Sequence, residues 1–149
     1  MDRYALGVDY GTNSVRALIA DVRTGDEVGS CVWAYETGES GIVLDPHDPN
    51  VARQHPADYL KGLEASVRGA LAQAAKRKGF KPAAVIGIGV DTTGSTPIPV
   101  DGAGTPLAMH AQFAARPAAM AWLWKDHTGH EEAAAITEAA RRTRPQYLA

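Results

Sequence analysis

The first third of the chain breaks into short apolar runs separated by clusters of turn-forming residues. Tyr4 to Val8 is apolar and stops at Asp9-Tyr10-Gly11-Thr12-Asn13-Ser14, a dense group of turn formers. Val15 to Ala20 resumes as a strand, and Val22 to Asp26 is a second turn in which Gly25 is free to take a positive φ. Glu27 to Thr37, rich in Val, Trp and Tyr, reads as a third strand. Links this short predict an antiparallel meander, because parallel pairing needs a long crossover.

Residues 38–55 carry Gly38, Gly41, Pro46 and Pro49 with no sustained period, which predicts a loop of functional length. Pro56 opens a helix in which Leu60, Leu63, Val67, Leu71 and Ala74 recur at spacings of three and four, one apolar stripe. Lys76, Arg77 and Lys78 complement its dipole, and Gly79 and Pro82 stop it. Ala83 to Val90 is apolar without polar alternation, the pattern of a strand covered on both faces. It ends in Asp91-Thr92-Thr93-Gly94-Ser95-Thr96, a second polar loop, and Pro97 to Val100 predicts one more short strand at an edge. From about Pro117 the positions of Met120, Leu123 and Trp124 predict a helix. Thr128 with Glu131 resembles a capping box opening a last Ala-rich helix to about Arg142.

A meander followed by mixed helices and strands predicts an α/β fold, a mixed sheet with helices on its faces. Both polar loops follow covered strands and are expected to meet at one end of the sheet, where ligands gather in such folds.

The chain has 149 residues, 45% hydrophobic and 21% charged, which suits one globular domain rather than two large ones or a disordered segment. The net charge of −2 supplies no basic face for a phosphate backbone, which speaks against a general nucleic-acid binder. No run of 18 or more apolar residues predicts a membrane span, and the start shows no signal-peptide pattern. Cys31 is the only cysteine, so an intramolecular disulfide is impossible and the cytoplasm is the expected compartment. Cys31 lies in an apolar stretch and reads as a buried small hydrophobe.

Three stretches could carry chemistry. Gly11, Thr12, Asn13 and Ser14 can turn backbone N–H groups and hydroxyls toward one point as an anion pocket, or form an ordinary tight hairpin. Asp9 beside them could hold Mg²⁺ through water, and Arg16 could meet phosphate oxygens. The loop of Asp91, Thr93, Gly94, Ser95 and Thr96 suits a polyhydroxy ligand, or satisfies its own backbone. Trp124, Lys125, Asp126 and His127 set an indole beside a cation, a carboxylate and an imidazole, a group that can stack on and hydrogen-bond to a sugar. His127 and His130 stand at a spacing that can bind metal on a helix, but no further ligand lies nearby; His47, His55 and His110 show no ligand spacing.

Taken together, Gly7-Val8-Asp9-Tyr10-Gly11-Thr12-Asn13-Ser14-Val15-Arg16, Gly87 to Pro97 and Leu123-Trp124-Lys125-Asp126-His127-Thr128 resemble the amino-terminal part of the FGGY carbohydrate kinases, and within them the L-ribulokinases. The resemblance implies a ribonuclease H-like domain of the actin/hexokinase-type ATPase fold, residues 1–149 forming a truncated amino-terminal domain without the second lobe. It implies transfer of the γ-phosphoryl of ATP to a sugar hydroxyl with Mg²⁺, L-ribulose going to L-ribulose 5-phosphate. Asp9 would then sit near Mg²⁺, with Gly11, Thr12, Asn13, Ser14 and Arg16 near the phosphates. Asp91, Thr93 to Thr96 and Trp124 to His127 would shape the sugar side. Asn13 stands where many relatives have Thr. The catalytic base and adenine pocket are expected beyond Ala149, so the chain alone is expected to bind ATP weakly without turnover.

Partners on this reading are the sugar and ATP, with no nucleic acid and no membrane, and a homodimer of the longer protein stays open. The other readings are an FGGY kinase acting on D-ribulose, ribitol or xylulose, a non-catalytic actin-like nucleotide-binding module, or a ribonuclease H-type nuclease using Asp9, Asp21 and Asp91 around metal.

Overall fold

The computed structural model describes residues 2–147. In chain order its elements are β1 (Tyr4–Tyr10), β2 (Ser14–Asp21), β3 (Glu27–Ala34), β4 (Val43–Leu44), β5 (Ala52–Gln54), α1 (Pro56–Ala74), β6 (Val85–Thr92), β7 (Ala121–Trp122) and α2 (His130–Thr143), joined by loops and short 3-10 turns. The main sheet runs in the order β3-β2-β1-β6. Its first three strands form the expected antiparallel meander, and β6 lies parallel to β1 after the α1 crossover. A second, three-stranded sheet has the order β4-β5-β7.

Alternation decides which face is core. Tyr4, Leu6 and Val8 of β1 and Val15, Ala17 and Ile19 of β2 point to the α1 side and are buried, each large apolar chain contributing about 1.5–3 kcal/mol. Gly7 and Asp9 of β1 and Arg16 and Leu18 of β2 alternate to the other face, which no element of the described residues covers.

Helix α1 forms where expected but ends at Ala74, before the basic residues. Its N-cap is His55, whose Nδ1 accepts from the Ala57 N–H, with Pro56 in the first turn. Only the later part of the stripe bears on the core: Val67 and Leu71 pack against it and Ala74 is buried, while Leu60 is 61% exposed and Leu63 37%. The buried face is Gly62, Ser66, Ala70 and Ala74, spaced by four. A Cβ at Gly62 would stand 2.7 Å from Val15 Cγ2 and 3.0 Å from Trp33 Cε3. Gly29 is pressed in the same way by the backbone of Ala70 and Ala74, and Gly69 by half-buried Cys31. Small residues let the helix axis approach the sheet closely, and Leu60 and Leu63 are left on its flank.

Other expectations need correction. The apolar strand β6 is not covered on both faces: Ile86, Ile88 and Val90 are 58–68% exposed, because among the described residues only β1 lies along it. Residues 97–100 form no strand, only a bridge between Val100 and Pro106. No helix starts at Pro117. A 3-10 turn at Pro117–Ala119 leads into β7, which pairs with β5 and leaves Met120 and Leu123 buried from an extended backbone. Thr128 caps nothing, since its hydroxyl donates to Asp126 Oδ1 at 2.6 Å and α2 begins after Gly129 without a side-chain cap. Within residues 38–55, β4 and β5 add extended structure, and β5 is buried throughout. No helix among the described residues is long and apolar enough to cross a membrane.

Candidate phosphate and sugar site

The site grows from the parallel pairing of β1 and β6, which sets Asp9 beside Asp91 and Gly7 beside Gly89. The two polar loops therefore meet at one end of the sheet, with Asp9 and Asp91 on the face opposite α1. The paired glycines expose backbone and leave a groove of about 470 Å³, bordered by Asp9, Asp91, Arg16 and Leu18. A Cβ at Gly89 would meet nothing, so glycine here leaves space rather than relieving a clash. Arg16 Nη1 lies 3.8 Å from Asp9 Oδ2, and both side chains are open to solvent. Two carboxylates and a cation on one groove can hold a divalent ion together with the oxygens of a bound phosphate. Asp9 and Asp91 fit Mg²⁺ in that way and not as a closed cage, since no group of three His, Cys, Asp or Glu residues among the described residues could hold a metal by itself. Asp21 sits at the far end of β2, opposite Tyr4, 3.8 Å from Arg77. It joins neither carboxylate, so the nuclease triad does not assemble.

The hairpin between β1 and β2 is clamped from several sides. The Gly11 N–H donates to the Ser14 carbonyl at 2.9 Å, and the Asn13 carbonyl accepts from the Tyr35 N–H at 2.9 Å. The Thr12 carbonyl accepts from Gln54 Nε2 at 2.7 Å. The Thr12 hydroxyl accepts from the indole N–H of Trp124 at 3.1 Å, which leaves its own proton to donate to a ligand. Asn13 turns away: its Nδ2 donates to the Ser40 carbonyl at 2.7 Å and pins the one non-glycine residue of positive φ among the described residues.

A separate pocket of about 210 Å³ opens between Tyr10, Tyr59, Thr92, Thr93, Thr96 and Ile98. It pairs apolar walls with threonine hydroxyls, a lining suited to a small polyhydroxy ligand. Thr93 and Thr96 share a hydrogen bond at 3.0 Å, while Gly94 and Ser95 are exposed on the loop outside this lining. Burial raises the pKa of the Tyr59 phenol far above its usual range, so it stays protonated, and its hydroxyl donates to Gln54 Oε1 at 2.7 Å. Tyr10 is raised by burial too.

The Trp124–His127 stretch divides. Trp124 is 51% exposed and faces the hairpin, with Lys125 Nζ 5.5 Å from its ring centroid. Lys125 also borders a second groove with Asn13, Glu39 and Ser40. The His127 side chain is exposed. Asp126 is turned inward, its side chain 5% exposed in an ion pair with Arg53. Arg53, Gln54 and Tyr59 are the residues that sequence reasoning missed. Arg53 and Gln54 sit in a segment without periodicity, and their partners lie far away in the chain.

No family model matches the chain. It is similar to the ribulokinase of Vibrio parahaemolyticus, 42% identical over 138 residues that make up 93% of this chain and 24% of that protein. It is 37% identical to the ribulokinase of Geobacillus thermodenitrificans over 153 residues, 98% of this chain and 26% of that protein. The ribulokinase of Mycolicibacterium smegmatis is 39% identical over 144 residues, 93% of this chain and 25% of that protein. The chain thus spans about a quarter of the length of the curated relatives it matches. Among solved structures, a xyloylose kinase from Brucella ovis aligns with a TM-score of 0.68 at 25% identity, over 94% of this chain and 25% of that one. A Plasmodium falciparum glycerol kinase with ADP aligns with a TM-score of 0.66 at 17% identity, over 92% and 23%. The fold is that of the actin/hexokinase-type ATPases.

Proposed function

We propose that this chain is the amino-terminal domain of a longer carbohydrate kinase that transfers the γ-phosphoryl of ATP to a ketopentose, L-ribulose to L-ribulose 5-phosphate. The observation that carries the reading is the register of β1 on β6, which gathers Asp9, Arg16 and Asp91 on one groove beside the hairpin. The similarity of nearly the whole chain to ribulokinases supports a ketopentose as the substrate class.

Phosphoryl transfer asks a protein chiefly to position reactants and neutralise charge. Asp9, with Asp91 beside it, would hold Mg²⁺, which supplies charge neutralisation on the phosphates. Arg16 faces the same groove and offers a cation to phosphate oxygens. The Thr12 hydroxyl and hairpin backbone offer donors at its rim. Trp124 presents an exposed ring face to the sugar, and the pocket of Thr93 and Thr96 offers hydroxyls to its hydroxyl groups. No described residue is assigned as the base.

The test is a substrate panel on the full-length protein with ATP and Mg²⁺: L-ribulose, D-ribulose, ribitol and xylulose. The reading expects the highest kcat/KM for L-ribulose. A preference for ribitol or D-ribulose would move the substrate within sugar kinases, and no turnover on any of the four would overturn the reading.

A further inference from the structure

Strand β5 carries two consecutive buried polar residues that reach in different directions. Arg53 is 4% exposed and Gln54 1%. The Arg53 guanidinium pairs with Asp126, donates from Nε to the Pro117 carbonyl at 3.2 Å, and lies 3.6 Å from the centroid of the Trp122 ring. Asp126 accepts in addition from the Ala52 N–H at 2.8 Å, and from the Thr128 N–H and hydroxyl at 3.2 and 2.6 Å. The segment from Leu123 to Thr128 is thereby tied to β5. Gln54 reaches the other way, to the Thr12 carbonyl. Trp124 stands between these two anchors. It is half-exposed, and its indole N–H meets the Thr12 hydroxyl.

We propose that Arg53 is a positioning residue: with Asp126 and Gln54 it sets the spacing between the Trp124 indole and Thr12, and so locks the sugar wall over the phosphate hairpin. A buried ion pair is weak evidence of stabilisation, because desolvating two charges offsets much of their attraction. Fixing one arrangement out of several is what such a pair does well, and here the arrangement joins segments 73 residues apart. A wall misplaced by even an ångström would lower catalytic efficiency steeply. The effect on turnover rests on the kinase reading; the effect on Trp124 does not.

The experiment uses the full-length protein labelled with 5-fluorotryptophan, with the Trp124 fluorine resonance assigned by Trp124→Phe. Arg53→Met alone leaves Asp126 buried without its partner and lowers the melting temperature. Arg53→Met with Asp126→Asn removes both charges together, keeps an amide oxygen to accept from Ala52 and Thr128, and recovers part of that loss. In the double variant the Trp124 resonance is expected to stay displaced, and kcat/KM for the ketopentose to fall about ten- to a hundredfold, mainly through KM. Thr12→Val, which removes the indole's acceptor, is expected to displace the same resonance even if the double variant does not fold. A folded double variant with an unmoved resonance and unchanged KM would overturn the proposal, as would an unmoved resonance in Thr12→Val. A displaced resonance in a protein that phosphorylates no sugar would support the clasp while removing the kinase reading.

Discussion

Asp9 and Asp91 stand side by side on two parallel strands, at the same register and on the same face of the sheet. They come from strands far apart in the chain, with the α1 crossover between them, and the glycines before each of them, Gly7 and Gly89, are paired as well. The result is a carboxylate pair above a bare stretch of backbone, open to a ligand. Asp9 is half-exposed, so Asp9→Asn is expected to leave the unfolding free energy within about 0.5 kcal/mol of wild type. In the full-length protein its kcat is expected to fall about a hundredfold or more. Steady-state kinetics at saturating ATP and Mg²⁺ checks this, and an unchanged kcat would place the metal elsewhere.

Gly62 holds α1 against β2 and β3. A valine there would drive its side chain into Val15 and Trp33, neither of which is a flexible chain end. Gly62→Val is expected to lower the stability of the fold by about 1–3 kcal/mol, measured by urea unfolding. Leu60→Ala, on the exposed flank of the same helix, is expected to change it by less than about 0.5 kcal/mol.

The Asp21 carboxyl is held below the ordinary carboxylate range, first by the Arg23 N–H and also by the Thr24 N–H and the Arg23 and Arg77 charges. A folded-state value below the unfolded one stabilises the fold above the ordinary carboxylate range. That contribution is lost as pH falls through the lowered value. Asp21→Asn should therefore show a shallower loss of urea midpoint between neutral and acid pH than wild type. Parallel pH profiles would contradict it.

The hydroxyls of Tyr4 and Tyr35 are buried with no hydrogen-bond partner. Tyr4 packs against Phe80 with ring centroids 4.9 Å apart, so Tyr4→Phe keeps the packing and removes the orphaned oxygen. The variant is expected to gain about 1 kcal/mol in thermal or urea unfolding, because an unsatisfied buried hydroxyl costs its desolvation.

The meander was legible because its turns announce themselves locally: Asp9 to Ser14 and Val22 to Asp26 leave no room for a crossover. The meeting of the two polar loops followed from strand order alone. What misled was periodicity without size. Leu60, Leu63, Val67 and Leu71 mark an amphipathic helix correctly, but Gly62, Ser66 and Ala70 beside them face the sheet, and of the stripe Val67 and Leu71 reach the core while Leu60 and Leu63 do not. Met120 and Leu123, three apart, imitate one face of a helix, while the partner that holds the segment extended is β5, far away in sequence. Thr128 three residues before Glu131 imitates a cap, until Asp126 takes the hydroxyl. Arg53 and Gln54 carry no local signal, since their roles exist only when Asp126 and Thr12 arrive from elsewhere in the chain. The bareness of β6 could not be read from its composition, which describes a covered strand.

Phosphoryl transfer to a ketopentose is proposed at the groove of Asp9, Arg16 and Asp91. Phosphorus-31 NMR of the full-length protein with ATP, Mg²⁺ and L-ribulose tests it most directly. One sugar phosphomonoester is expected for each ADP formed, and its loss in Asp9→Asn. Inorganic phosphate with no sugar ester, or an ester formed undiminished by Asp9→Asn, would contradict it.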